Sequence, residues 1–544
     1  MADKSATGLE SRSLSEPAPS SSTVASHPFD LDSADITLRT SDNVDFHVHQ
    51  AILAIASPFF ATMFQLPQPE IAASATTSRP LLAVSEKSKT LDSLLRLCYP
   101  VAKLATTDVD EIALVLQTAV KYEMTWPISF LSSELKTAAA REPLHVWAIA
   151  CRLNLDDVAR HAVDFLFLNA PSTPLRDLVE SAGLATLNGV TAGQYARLCQ
   201  SYLQRGAFPG FSYVHPQHSC FPLRGIEHIT FTSDILGHDV LCRSRDAAEF
   251  PAHMAILAMH SPTLSRLFSD RPSEAAVEVI STASSELNQQ PPRSHRVVAF
   301  RAGSQTLATI LQICYGASHN SAFDPDLPIL AEAFAVTEEY EMNQAHAVVQ
   351  RLWDNQARRR PLDAYFTAAR YGLVPALRAA AKLTLSLSPT LATELTCSSM
   401  ESAPARSYHQ LITYRLASEK AVATALANAQ DARKEYLRTN GGDGSTIRHP
   451  RPLQGSTKST DPHHIPEGDW LVAYMQKVAR SVASSTLAVG RLGTLFELPA
   501  LIKTAKSCHG FSSSATVVLQ QLHKVAETLP QQIAAAIDEV ELKL

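Results

Sequence analysis

The side chains able to do chemistry are few and thinly spread. His47 and His49 stand one residue apart in "DFHVHQAILAIASPFF" (45–60). Only the second recurs in a later, similar stretch, as His253, and one histidine per site cannot hold a metal. The densest group is "HPQHSC" (215–220), with His215, His218 and Cys220, and His228 beyond it. His-x2-His-x-Cys is not a zinc spacing, and Pro216 and Pro222 mark the segment as a linker. Arg358–Arg360 is a short basic run between helical segments and reads as a solvated helix end, not a phosphate grip. "NGGDGS" (440–445) follows no strand and precedes no Lys-Ser/Thr pair, so it is not a phosphate loop. Gly-x-Ser-x-Gly and His-Glu-x-x-His are absent, which leaves only a dispersed triad as a route to an enzyme. The eight cysteines form no Cys-x-x-Cys pair and read as reduced thiols. The expectation is no catalytic residue, no metal and no cofactor.

The bulk properties agree. A chain of 544 residues has room for two to four domains, and its net charge of −6 suits neither a basic nucleic-acid binder nor an acidic tail. The start, "MADKSATGLESRSL", has no apolar core and is not a secretory signal. Phe46–Pro69 carries no formal charge, but His47, His49, Gln50, Ser57-Pro58 and Gln65 interrupt it, so it is not read as a membrane span. The chain is therefore expected to be intracellular, cytoplasmic and/or nuclear, without nucleic-acid or membrane partners.

Comparing the chain with itself is more informative. "DITLRTSDNVDFHVHQAILAIASPFFATMF" (35–64) aligns without a gap on "DVLCRSRDAAEFPAHMAILAMHSPTLSRLF" (239–268), offset by 204, with twelve identities. Downstream, "TLDSLLRLCYP" (90–100) parallels "TLATILQICYG" (306–316) at an offset of 216. "VKYEM" (120–124) parallels "EEYEM" (338–342), and "LHVWAIACRLNL" (144–155) parallels "LDAYFTAARYGL" (362–373). More weakly, "YARLCQSYL" (195–203) resembles "YHQLITYRL" (408–416). The chain holds two copies of one long unit.

Each copy predicts a hairpin around "TSDN", then a short and nearly all-apolar helix over Gln50–Ala56, expected to be buried on most sides. Ser57 can cap the next helix, with Pro58 in its first turn. Pro80–Val84 and Arg296–Phe300 look like a third strand; Leu91, Leu94, Leu95 and Cys98 share one helical face, as do Leu307, Ile310, Leu311 and Cys314. Further helices follow, about 108–123 and 128–139 in the first copy. Strands, a helix pair, a strand and then helices alone make an α+β unit with a helical extension.

These residues resemble the BTB/POZ family. Asp35 followed by Phe46, His49, Leu53, Ser57 and Phe60 matches the family pattern of a first-strand Asp and Phe-x-Val-His-x-x-(Ile/Val)-Leu-Ala-x-x-Ser-x-x-Phe. The second copy keeps Asp239, Phe250, His253, Leu257 and Ser261, but departs at Pro251-Ala252 and Leu264-Ser265, and is similar to a diverged BTB domain. The Tyr-x-x-Leu tails are similar to the BTB proteins abundant in mushroom-forming fungi. The resemblance implies a protein-interaction module without chemistry of its own, which dimerises and either joins substrates to a cullin scaffold for ubiquitination or recruits transcriptional corepressors. The expected interaction surface comprises Asp35, Phe46, His49, Ile52, Leu53, Ser57, Phe59 and Phe60, with Asp239, Phe250, His253, Ile256, Leu257 and Ser261. The two histidines and two aspartates are expected to satisfy buried polar groups near that surface. The expected partners are proteins: a cullin scaffold, or a second BTB unit, through self-association or internal pairing of the two copies.

The expected organisation is a disordered 1–30; a BTB/POZ domain over 31–140; helical extension and linker over 141–230; a diverged BTB-like domain over 231–355 with an inserted loop at 270–295; helical extension over 356–437; linker over 438–468; and C-terminal helices over 469–544. In that last part, Val518, Leu522, Val525 and Leu529 form one apolar stripe and, after Pro530, Ile533, Ile537, Val540 and Leu544 form another, predicting two helices.

Overall fold

The computed structural model describes residues 22–66, 79–102, 108–169, 172–204, 211–216, 237–269, 296–316, 323–387, 397–440, 470–483, 488–508 and 515–543. The expected inserted loop at 270–295, most of the expected linker at 438–468, residues 1–21 of the expected disordered start, and His218, Cys220, His228 and Leu544 lie outside the described residues. The chain divides into two compact units, Met1–Thr173 and Pro174–Leu544.

The first unit is a small sheet with helices. Strands β1 (Thr23–Val24), β2 (Ile36–Arg39), β3 (Val44–Val48) and β4 (Leu81–Ala83) lie in the order β1-β3-β2-β4. β2 and β3 form the expected antiparallel hairpin, with Leu38 opposite Phe46; β4 runs parallel to β2. Asn43 turns the hairpin at φ 58°, a left-handed conformation that asparagine tolerates. Helices α1 (Gln50–Ala56), α2 (Pro58–Gln65), α3 (Ser88–Cys98), α4 (Val109–Lys121), α5 (Thr125–Ala138), α6 (Pro143–Arg152) and α7 (Asp156–Asn169) complete the unit. Its core gathers Leu38, Phe46, Val48, Leu53, Phe60, Leu94, Leu116 and Trp147, all buried.

The second unit begins with helices α8 (Leu175–Ala182) and α9 (Ala192–Gln204) and then repeats the pattern. Strands β5 (Val240–Arg243), β6 (Glu249–Ala252) and β7 (Arg296–Ala299) lie in the order β6-β5-β7, with β5–β6 antiparallel and β5–β7 parallel. Helices α10 (Met254–His260), α11 (Pro262–Ser269), α12 (Ser304–Cys314), α13 (Leu327–Glu339), α14 (Asn343–Arg359), α15 (Pro361–Tyr371) and α16 (Val374–Thr384) follow. Arg359 pairs with Asp324 and Arg360 with Asp326, so two of the three arginines at the end of α14 are charge-matched. A long helix, Ala405–Asn440, leads to a helical cluster in which Val422 and Leu426 pack with Leu471, Met475, Val482, Phe496, Leu501, Leu529 and Ile533.

Two expectations are corrected. Gln50–Ala56 is not buried on most sides: Leu53 is its one fully buried residue and Ile55 is 89% exposed. The helix packs on α2 and α3 by one side, so only Leu53 is fully covered. The C-terminal stripes do not form two helices either; a single helix, Ala515–Asp538, runs through Pro530. Pro530 forfeits one backbone hydrogen bond, but Leu529 and Ile533, each 2% exposed, anchor both sides of it in the core.

Candidate functional site

The short helix after the hairpin is held in each copy by the same set of bonds. In the first, the Gln50 N–H donates to the Asp35 carboxylate at 2.7 Å and the His49 N–H to the Tyr99 hydroxyl at 2.9 Å. Tyr99 also lies 3.2 Å from His49 Nδ1, and Ser33 Oγ lies 3.1 Å from Nε2. In the second, the Met254 N–H donates to Asp239 at 2.7 Å, and the His253 N–H and Nδ1 meet the Tyr315 hydroxyl at 2.9 and 2.7 Å. Ser33 has no counterpart there: Gly237, at φ 66°, takes its place, and His253 Nε2 has no hydrogen-bond partner among the described residues. The Asp and His thus work as joints of the fold. Both aspartates are exposed and sit just before their strands, not on them, and each carboxylate accepts a backbone N–H, the hydrogen-bonding role expected of it.

A second joint fixes the following helix. Ser57 Oγ accepts from the Phe60 N–H at 3.1 Å and donates to the Tyr122 carbonyl at 2.5 Å. Ser261 does the same with Leu264 at 3.0 Å and Tyr340 at 2.5 Å. Both serines are fully buried, so each cap also satisfies a carbonyl from another helix's end. A third joint ties the hairpin turn to the next helix. Asp42 accepts from the Ser88 N–H and hydroxyl, which hold its carboxyl down at about 2. Asp246 accepts from the Ser304 N–H, and bonding from Ser304 lowers its pKa likewise.

The expected interaction residues therefore separate. Phe46, Leu53, Ser57, Phe60, Leu257 and Ser261 are core. Ile52, Ile256, His49, His253 and Phe250 are half-buried, and Phe59 is exposed. The apolar side chains that face solvent most fully were not among those expected: Ile55 at 89% and Met259 at 82%, at matching positions of α1 and α10. The repeat alignment pairs them, and helical phase sets both two residues after a buried leucine, but a single apolar run does not reveal which side the neighbouring helices cover. The bonding roles of Tyr99, Tyr122, Tyr315 and Tyr340 are not legible in the sequence, although the repeat pairs "CYP" with "CYG" and "KYEM" with "EYEM".

The sheet edges differ. β3 is covered by β1, while β6 has no neighbour on its outer edge among the described residues. On the first sheet, Arg39 is fixed to Asp45 by two bonds of 2.7 and 2.8 Å, and Arg79 reaches His47 Nδ1 at 2.9 Å, so the polar groups there are mutually satisfied. Burial pushes the Cys242 and Cys314 thiols up to about 12, which makes them inert. Among the described residues no group of three or more His, Cys, Asp or Glu side chains could hold a metal ion, and no helix is long and apolar enough to cross a membrane.

The family model of the BTB/POZ domain matches residues 29–139 and 232–351. No curated protein matches the chain in sequence.

Proposed function

We propose that this chain, a protein with two BTB/POZ domains and hence two protein-interaction modules, is a scaffold that uses the outward faces of α1 and α10 to engage polypeptides, and that the engaged partner is a cullin in a ubiquitin ligase. The observation that carries the reading is the repetition of one bonding scheme that presents an apolar helix face to solvent twice. Three polar contacts common to both copies hold a helix whose most exposed residue is Ile55 or Met259, and nothing in the fold of either unit needs those side chains outside. Buried apolar anchors of this kind dominate protein–protein affinity.

Purified full-length chain and a cullin N-terminal domain, measured by titration calorimetry, test the reading. Binding is expected, and Ile55→Glu with Met259→Glu is expected to weaken it by about tenfold while circular dichroism and melting stay unchanged. No cullin binding, with retained capture of a corepressor fragment, would replace the ligase role by transcriptional scaffolding. Binding indifferent to both substitutions would move the interface away from these helices.

A further inference from the structure

The two repeats end in similar segments, "TAGQYARLCQSYL" (191–203) and "PARSYHQLITYRL" (404–416), offset by 213. Within the second unit these ends lie side by side. The Ala192 N–H donates to the Ala403 carbonyl at 2.8 Å, and the Ala405 N–H donates to the Val190 carbonyl at 2.9 Å. Thr191 and Pro404 face each other between these bonds as an antiparallel pair. Moving each residue of one bond by the offset produces the other bond, so the seam has a local two-fold axis. The Tyr195 and Tyr408 rings, equivalent in the two tails, meet edge to face with centroids 5.8 Å apart. Leu187 and Met400, and Leu198 and Leu411, are buried in matching places. Such a seam is self-complementary: the surface that one tail offers is the surface that the other tail fits.

Three side-chain contacts break the symmetry, and they do so in one direction. Arg197, 4% exposed, bonds the Glu401 carboxylate at 2.5 and 3.1 Å and the Tyr213 and Val214 carbonyls at 3.0 Å each. The equivalents of Arg197 and Glu401 are Gln410 and Asn188, which carry no charge. Glu401 enters beside Gly193, where a Cβ would come within 2.1 Å of its Oε1; the equivalent of Gly193 is Arg406. Tyr195 OH lies 3.1 Å from His409 Nδ1, and the equivalent of His409 is Ala196. Two first tails would set Arg197 against Asn188 and leave a buried guanidinium without a carboxylate. Two second tails would fill the glycine notch with the Cβ of Arg406. Both like pairings lose what the unlike pairing gains.

We propose that the tails form a self-sorting clasp, in which the end of the first repeat takes the end of the second repeat of the same chain as its partner and is thereby closed to a like tail from a second copy. The clasp does not depend on the cullin reading. It joins the two repeats into one molecule whatever their outward helix faces bind.

The double variant Thr191→Cys with Pro404→Cys, in the full chain, tests it. The pair lies between two ladder bonds that do not join its own residues, the arrangement that brings facing side chains closest and within disulfide reach. Oxidation by glutathione disulfide, which takes up the two electrons and two protons released, is expected to give a 191–404 cross-linked peptide in a protein of single-chain mass, with neither single variant doing so. A covalent dimer would overturn pairing within the chain, and free thiols at both positions would overturn the seam. A second measurement needs no cysteine. Glu401→Gln is expected to speed hydrogen exchange of the Ala192 and Ala405 amides together by about tenfold, while Gln410→Glu, at the equivalent of Arg197, leaves both unchanged. Unequal responses of the two amides, or none, would remove the charge pair as the sorting element.

Discussion

Single residues do the joining in this protein, and their energetics are open to measurement one at a time. Ser57 serves two partners at once, so Ser57→Ala removes a helix cap and leaves the Tyr122 carbonyl unpaired in the core. A cost of about 2–3 kcal/mol is expected, from a lost cap near 1 and an unsatisfied buried acceptor of about 1–2. Ser261→Ala should cost the second unit a comparable amount, read from urea unfolding of each variant. Asp42 gives a pH signature. Its carboxyl is lowered from 3.8 to about 2 by Ser88, so the folded state favours the charged form. The stabilisation is complete above the unfolded value and lost as pH falls through the folded one. The stability difference between the parent chain and Asp42→Ala should therefore be flat at neutral pH and shrink from pH 4 toward pH 2. Asp42 is exposed and the effect is small in size; its pH range identifies it.

At the scale of elements, the sequence shows strands and helix faces well and burial poorly. The hairpin, the Ser-Pro helix start and the stripes Leu91–Leu94–Leu95 and Leu307–Ile310–Leu311 were readable because each rests on local periodicity or capping chemistry. The exposure of Ile55 and Met259 was not, because a seven-residue helix with one polar residue, at its very end, has no polar side to mark solvent. The weakest internal similarity, between the two tails, turned out to join 190–195 to 403–408, a long-range pairing that no local pattern encodes. Nor does composition announce how the C-terminal helices attach. Gly490 N–H donates to the Leu385 carbonyl at 2.9 Å, just after α16, and a Cβ at Gly490 would meet Ser386 N at 2.8 Å and Leu385 C at 2.9 Å. Those are backbone atoms and cannot swing aside. Gly490→Ala should destabilise this attachment by about 1–3 kcal/mol, seen as faster hydrogen exchange in 488–508 with α12 and α13 unchanged.

At the scale of the whole molecule, repeats and compact units do not share a boundary. The units part between Thr173 and Pro174, whereas the first repeat continues through α9. The helices Leu175–Ala182 and Ala192–Gln204 belong by descent to the first copy and by packing to the second unit. Truncation separates these two descriptions. A chain ending at Thr173 keeps every element of the first unit, with its core of Leu38, Phe60, Leu116 and Trp147 intact, and should be monomeric and unfold cooperatively. A chain ending at 216 is longer and keeps the whole first repeat, yet it strips the second tail from α9, where Tyr195 and Leu198 are each at most 1% exposed in the full chain. Uncovering each of those side chains costs roughly 1.5–3 kcal/mol, and Arg197 loses Glu401 besides. That longer chain should bind a hydrophobic dye, be cut by protease within 175–204 and associate weakly on sedimentation, while the shorter one does none of these. If the longer chain proved as compact and protease-resistant as the shorter, the first repeat's tail would be stable by itself and the packing seen in the second unit would not be what holds it.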